Sequence, residues 1–127
     1  MGALVREYGL IPDVVISSDA VRARLTAEAV AEAARYAGEI LLDPRLYMAS
    51  PADILSLLPT VRETAERVMI VGHNPGLEKL VEHLTGERQD VPTATLVQIA
   101  LPIDQWCDLK LSTRGALVGL WRPEELT

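Results

Sequence analysis

Val68-Met69-Ile70-Val71-Gly72-His73-Asn74-Pro75-Gly76 is the stretch that decides how this chain is read. An apolar, mostly β-branched run stops at a glycine, and a histidine then stands directly before Asn-Pro-Gly. The pattern reads as a buried strand that ends at Gly72 and passes at once into a helix. Asn74 is a good N-cap, and Pro75 suits the first helical position, where no backbone donor is needed. His73 then lies at the carboxyl end of a strand and the amino end of a helix. Open α/β sheets bind ligands at that edge, and helix amino ends favour anions there.

Working outward, strand and helix signals alternate. Val14-Val15-Ile16 is a short β-branched run ending at Ser17-Ser18-Asp19. A helical pattern follows from about Ala20 to Tyr36, with Val21, Leu25 and Ala29 as its apolar positions and Gly38 as its terminator. Glu39-Ile40-Leu41-Leu42 reads as a second strand. Ser50-Pro51-Ala52-Asp53 reads as a helix start, and Thr60-Val61-Arg62-Glu63 repeats that logic as a capping box. The helix after His73 runs from about Pro75 to Leu84 and closes at Gly86. Beyond Pro92, Thr93 to Leu101 and Leu109 to Trp121 read as strands joined by a short connection around Asp104-Gln105-Trp106, a hairpin. A βαβα start with a ββ end predicts one domain over residues 1–127, with a mixed sheet and helices on its faces. Gly2 to Tyr8 reads as the close of a helix stopped by Gly9, so the domain opens as if incomplete.

Composition narrows the function classes. The 127 residues suit one modest core, with 49% hydrophobic and 24% charged residues, ordinary for a globular domain. A net charge of −6 argues against non-specific nucleic-acid binding, which needs Lys and Arg to neutralise phosphates. An anionic substrate must therefore be held by a local cationic pocket. No apolar run approaches a membrane span. The single cysteine, Cys107, excludes an internal disulfide framework, permits a cytoplasmic setting and is expected as a small buried residue. The two histidines, His73 and His83, form no zinc set, and no P-loop or nucleophile elbow occurs, so no metal and no cofactor is expected. His83 is expected to be solvated in mid-helix.

Arg22 and Arg24 lie in the first turns of the helix after Ser17-Ser18, where the dipole disfavours a cation. Either they reach past the helix end toward a bound anion, for which the guanidinium fork is well shaped, or they are solvated and pair with acids such as Glu28. His73 is likewise open to two readings, a capping residue or a functional one.

Taken together, the two strand ends resemble the histidine phosphatase superfamily, in particular the SixA-type phosphohistidine phosphatases. The resemblance runs through Gly9-Leu10-Ile11-Pro12-Asp13, Ser17-Ser18 with Arg22-Ala23 and Thr26-Ala27-Glu28, and Leu46-Tyr47. It continues through Val71-Gly72-His73-Asn74-Pro75-Gly76-Leu77, Leu84-Thr85-Gly86 and Pro92-Thr93-Ala94. It implies a phosphoglycerate mutase-like α/β fold, three-layer α/β/α with a mostly parallel mixed sheet. It also implies a phosphoryl pocket in which Arg22 grips oxygens and His73 stabilises the equatorial charge, with Ser18 and Asn74 as substrate-binding residues. The implied partner is a phosphohistidine-bearing protein or a phosphorylated small molecule, as in bacterial-type signalling in the cytoplasm, with no nucleic acid and no membrane.

The chain departs from the pattern at one decisive place. The superfamily's nucleophilic histidine sits in an Arg-His motif at the end of the first strand, and these 127 residues hold no such motif. The first strand is therefore expected to be missing, so that the isolated chain is marginal, dimerises through the exposed sheet edge or aggregates, and alone is inactive or nearly so. Asp19 and Leu25 replace the usual proline and glutamine, and Asp19 is expected to repel phosphate unless it caps its helix. For a general acid, only Tyr47, Asp43 and Asp53 stand near the expected place. A phosphoramidate bond to imidazole needs little such help. Three readings follow: a phosphohistidine phosphatase lacking its nucleophile segment, a phosphate-binding pseudophosphatase, and an interaction domain that inherits the fold.

Overall fold

The computed structural model describes residues 2–122. At its centre lies β1 (Val14–Ser17), buried along its whole length and flanked by two parallel strands. On one side is β2 (Ile40–Leu42), with Val15 opposite Ile40; on the other is β3 (Val68–Val71), with Val14 opposite Val68 and Ser17 opposite Val71. Among the described residues four helices accompany the sheet: α1 (Gly2–Glu7), α2 (Val21–Ala34), α3 (Pro51–Leu57) and α4 (Gly76–Thr85). Val14 and Ile16 point into the main core with Leu46, Ile54, Leu57 and Leu84, beneath α3 and α4. Val15 alternates to the opposite face, where α2 lies with α1 upon it. The result is an α/β fold with helices on both faces of a parallel sheet, as expected.

Several local expectations hold for the stated reasons. Ser50 and Asp53 make a complete capping box at the start of α3, with Pro51 in its first turn. Gly9 and Gly86 adopt φ of +68° and +75° just past α1 and α4, where a left-handed residue ends a helix.

Others are corrected. Helix α2 does not bury Val21 or Leu25, which are 63% and 54% exposed; it buries Ala23, Ala27 and Ala34. Only small side chains allow α2 to lie this close to the sheet and to α1, where a Cβ on Gly2 would stand 2.7 Å from the Val30 carbonyl oxygen. The helix also ends before Gly38, at Arg35, whose left-handed backbone (φ 60°) donates back to the Ala31 and Glu32 carbonyls. Thr60 closes a 3-10 turn over Leu58–Thr60 instead of capping a helix, and the Glu63 carboxylate accepts the Trp106 and Cys107 N–H groups. Helix α4 begins at Gly76, because Pro75 holds ψ near 1°, outside the helical range. Asn74 Oδ1 nonetheless accepts the Glu78 N–H at 3.3 Å. Cys107 is exposed, and His83 is half-buried with Nε2 2.6 Å from the Leu111 carbonyl oxygen.

The carboxyl-terminal part forms its own antiparallel pair, β4 (Leu96–Ala100) with β5 (Ala116–Trp121). Their connection is longer than a tight hairpin turn, covering residues 101–115 with a 3-10 turn at Trp106–Asp108 that hangs from Glu63 and Ala65. Among the described residues β3 pairs only with β1, and β4 only with β5. The pair does not join the parallel sheet, so the single mixed sheet expected from the sequence is corrected to a parallel sheet and a separate antiparallel pair, β3 and β4 each keeping one unpaired edge among the described residues. This explains why Val68, Met69, Ile70 and Val71 are half-buried although their sequence reads as a fully buried strand.

Candidate functional site

The sheet order β2-β1-β3 places a topological switch between β1 and β3, since the chain leaves β1 on one side and returns on the other. Their register aligns the two carboxyl ends, and the Ser18 N–H donates to the Val71 carbonyl at 2.9 Å. Ser18 and His73, distant in sequence, therefore emerge side by side.

Ser18 is fully buried. Its Oγ accepts the Ala20 N–H at 3.2 Å and meets His73 Nε2 at 2.8 Å. The hydroxyl has one proton and two acceptor sites, so the 2.8 Å contact can run in either direction; the arrangement that also uses the Ser18 proton has it donate to Nε2, with the imidazole proton on Nδ1. A buried hydroxyl thus holds the His73 ring through Nε2 and leaves Nδ1 as the ring nitrogen not engaged by Ser18.

Helix α2 starts beside this pair. Its N-cap position, Ala20, supplies no side-chain cap, and its first turn holds no acid. Asp19, exposed, does not cap it either. An uncapped amino end leaves backbone N–H groups and the positive end of the dipole for an anion. The structure separates the two arginines. Arg24 makes a 3.7 Å pair with Glu28, whereas the Arg22 guanidinium, exposed in the first turn, has no partner among the described residues.

Asn74 belongs to the same turn but is occupied by structure. Its Nδ2 donates to the Val91 carbonyl at 2.5 Å, its Oδ1 caps α4, and Glu78 Oε1 in turn accepts the Val91 N–H at 3.0 Å. These bonds lash the His73 turn to the 91 loop.

The three candidate acids also separate. Asp43 grips Arg45 through a 2.7 Å ion pair, and the Arg45 side chain holds its carboxyl below the ordinary range. Asp53 is lowered by the Ser50 backbone N–H in the capping box. Both are held as carboxylates, which makes poor proton donors. Tyr47 alone approaches the site: its ring lies 5.3 Å from the His73 ring at an interplanar angle of 82°, an edge contact. No spacing rule pointed to this contact, although the resemblance places Tyr47 near the pocket; a second signal is Gly76. A Cβ there would stand 2.5 Å from the Ala49 carbonyl oxygen, so glycine is what lets the 47–49 loop press against α4.

No protein-family model and no curated protein sequence matches the chain. Solved structures do. A candidate phosphohistidine phosphatase SixA from Agrobacterium tumefaciens is 27% identical with a TM-score of 0.74, covering 96% of this chain and 77% of its own. A second such SixA, from Nakamurella multipartitia, is 20% identical with a TM-score of 0.75 over the same shares. The protein histidine phosphatase SixA complexed with tungstate is 19% identical with a TM-score of 0.82, over 99% of this chain and 78% of its own. More than a fifth of each of these relatives thus has no counterpart here. In fold, the chain is similar to the SixA-type histidine phosphatases.

Proposed function

We propose that this chain carries the phosphoryl-binding part of a phosphohistidine phosphatase site. The observation that carries the reading is the 2.8 Å Ser18–His73 contact in the β1/β3 crevice, beside an uncapped helix end bearing an unpaired Arg22. In phosphoryl transfer most catalysis is positioning and stabilisation of charge on the equatorial oxygens. Arg22 and the α2 amino end grip those oxygens, His73 Nδ1–H donates to them, Ser18 orients His73, and Asn74 holds the turn. The substrate is a phosphohistidine-bearing protein or a phosphorylated small molecule, met in the cytoplasm. Among the described residues no helix is long and apolar enough to cross a membrane.

Neither histidine of the chain is the nucleophile in this reading, since His73 is committed to Ser18 and His83 to Leu111. The attacking histidine comes from a segment outside these 127 residues. It takes the phosphoryl group as the substrate imidazole leaves, and water then cleaves the new N–P bond. An extended segment on the open edge of β3 would deliver it to the crevice. A second copy pairs at the same edge when that segment is absent. Alone, the chain binds phosphate without turnover, which is the pseudophosphatase behaviour. Titration with phosphate or tungstate should give saturable binding lost in Arg22→Ala and His73→Ala, with no hydrolysis of p-nitrophenyl phosphate. Unchanged affinity in both variants would remove the pocket, and turnover abolished by His73→Ala would remove the claim of inactivity. A monomer in sedimentation at high concentration would remove the dimer.

A further inference from the structure

The loop that carries Tyr47 is built to hold that ring in one place. Leu46 before it is 2% exposed in the main core, and Ala49 after it is buried against Gly76. Arg45 is clamped on Asp43, and Ser50 begins the α3 capping box. Between these anchors Tyr47 and Met48 are 60% and 83% exposed, and Met48 adopts φ +53°, a left-handed backbone that residues with side chains rarely take. A tightly anchored loop that presents an exposed aromatic ring and a strained backbone beside His73 has no packing rationale. Nor does proton donation explain it, since a phosphoramidate bond to imidazole leaves without much acid help.

A phosphoryl group held by Arg22, His73 and the α2 amino end turns its three oxygens inward. Its fourth substituent, the leaving group, must point away from those three, and the exposed ring in contact with His73 is that of Tyr47. We infer that Tyr47 is a specificity-determining residue: its exposed ring, held edge-on to His73, receives the aromatic ring of a phosphorylated imidazole leaving group. The inference rests on the phosphoryl-pocket reading above. Ring pairs prefer tilted or offset contact, and Tyr presents a broad face at little entropic cost. Phosphate esters of serine or small alcohols offer no ring and gain nothing from it.

The test compares three probes titrated into the purified chain by NMR or calorimetry: inorganic phosphate, phosphoramidate and N-phosphoimidazole. The last two share a P–N bond and differ by the ring. N-phosphoimidazole should bind about three- to tenfold tighter than phosphoramidate. Tyr47→Ala should bring that ratio to about one while phosphoramidate affinity stays within about twofold, and Tyr47→Phe should keep the ratio. A ratio that survives Tyr47→Ala, or a wild-type chain that binds phosphoramidate without preferring the ring, overturns the role of Tyr47 and leaves the pocket standing. A wild-type chain that binds none of the three overturns the pocket, and this inference with it.

Discussion

Gly76→Ala tests the contact that brings the Tyr47 loop to the histidine turn. Gly76 is buried in the first turn of α4, and its added Cβ would stand 2.5 Å from the Ala49 carbonyl oxygen, against an ordinary contact near 3.4 Å. The shortfall of about 0.9 Å falls on a backbone atom, so no side-chain rotation relieves it. Ala49 is 7% exposed and lies between buried Leu46 and the Ser50 cap, so the loop must move as a unit. Overpacking of this kind costs about 1–3 kcal/mol. Alanine recovers somewhat less than about 1 kcal/mol of helix propensity, because the site is in the first turn. The net expectation is a loss of about 1–2 kcal/mol. For a chain of this size that is roughly 3–10 °C in melting temperature, read by calorimetry and by urea unfolding. The variant should also lose the cross-peaks between Tyr47 and His73 ring protons. An unchanged or raised melting temperature with those cross-peaks intact would refute the reasoning, since the loop would then not depend on a bare backbone at Gly76.

Ser18→Ala removes both hydrogen bonds of a fully buried hydroxyl and should cost about 1.5–3 kcal/mol in urea unfolding. It should also shift the His73 ring nitrogen resonances toward a mixture of tautomers, and unchanged resonances would contradict the assignment of Ser18 as the orienting group. Arg22→Ala should leave the melting temperature within about 1 °C, because the side chain is exposed and has no partner among the described residues, while abolishing phosphate binding. Asp13 accepts the Arg67 and Glu66 N–H groups, which hold its carboxyl below the ordinary 3.8. Its stabilisation is present above that value and is lost as pH falls through the lowered one. Asp13→Asn should therefore cost about 1–2 kcal/mol at pH 7, and less as the pH drops below about 3.8. An equal cost at pH 7 and pH 2.5 would show that the carboxylate charge is not involved. Trp106→Phe breaks the 2.6 Å bond from its indole N–H to the Ala65 carbonyl and should lower stability by about 1–2 kcal/mol, seen as a lower urea midpoint with an unchanged slope.

The sequence by itself determined the elements whose signals are local. The strand at Val68–Val71, the turn at Gly72, the Ser50 capping box and the glycine stops at Gly9 and Gly86 each follow from backbone chemistry within a few residues. It also marked Ser18, Arg22 and His73, because strand-to-helix junctions show in residue order. Only the tertiary structure decided the rest, because each of those outcomes depends on what packs against a residue. Helix α2 buries alanines in place of Val21 and Leu25, since close approach to the sheet selects small side chains over apolar ones. Glu63 leaves its expected cap for the backbone of Trp106 and Cys107, far away in sequence. The pairing of Glu28 with Arg24 rather than with Arg22, which the resemblance had already singled out, is likewise visible only in the structure. The contacts of His73 with Ser18 and with Tyr47 cross three elements that meet because β1 and β3 are parallel neighbours, and no periodicity in one dimension encodes that meeting.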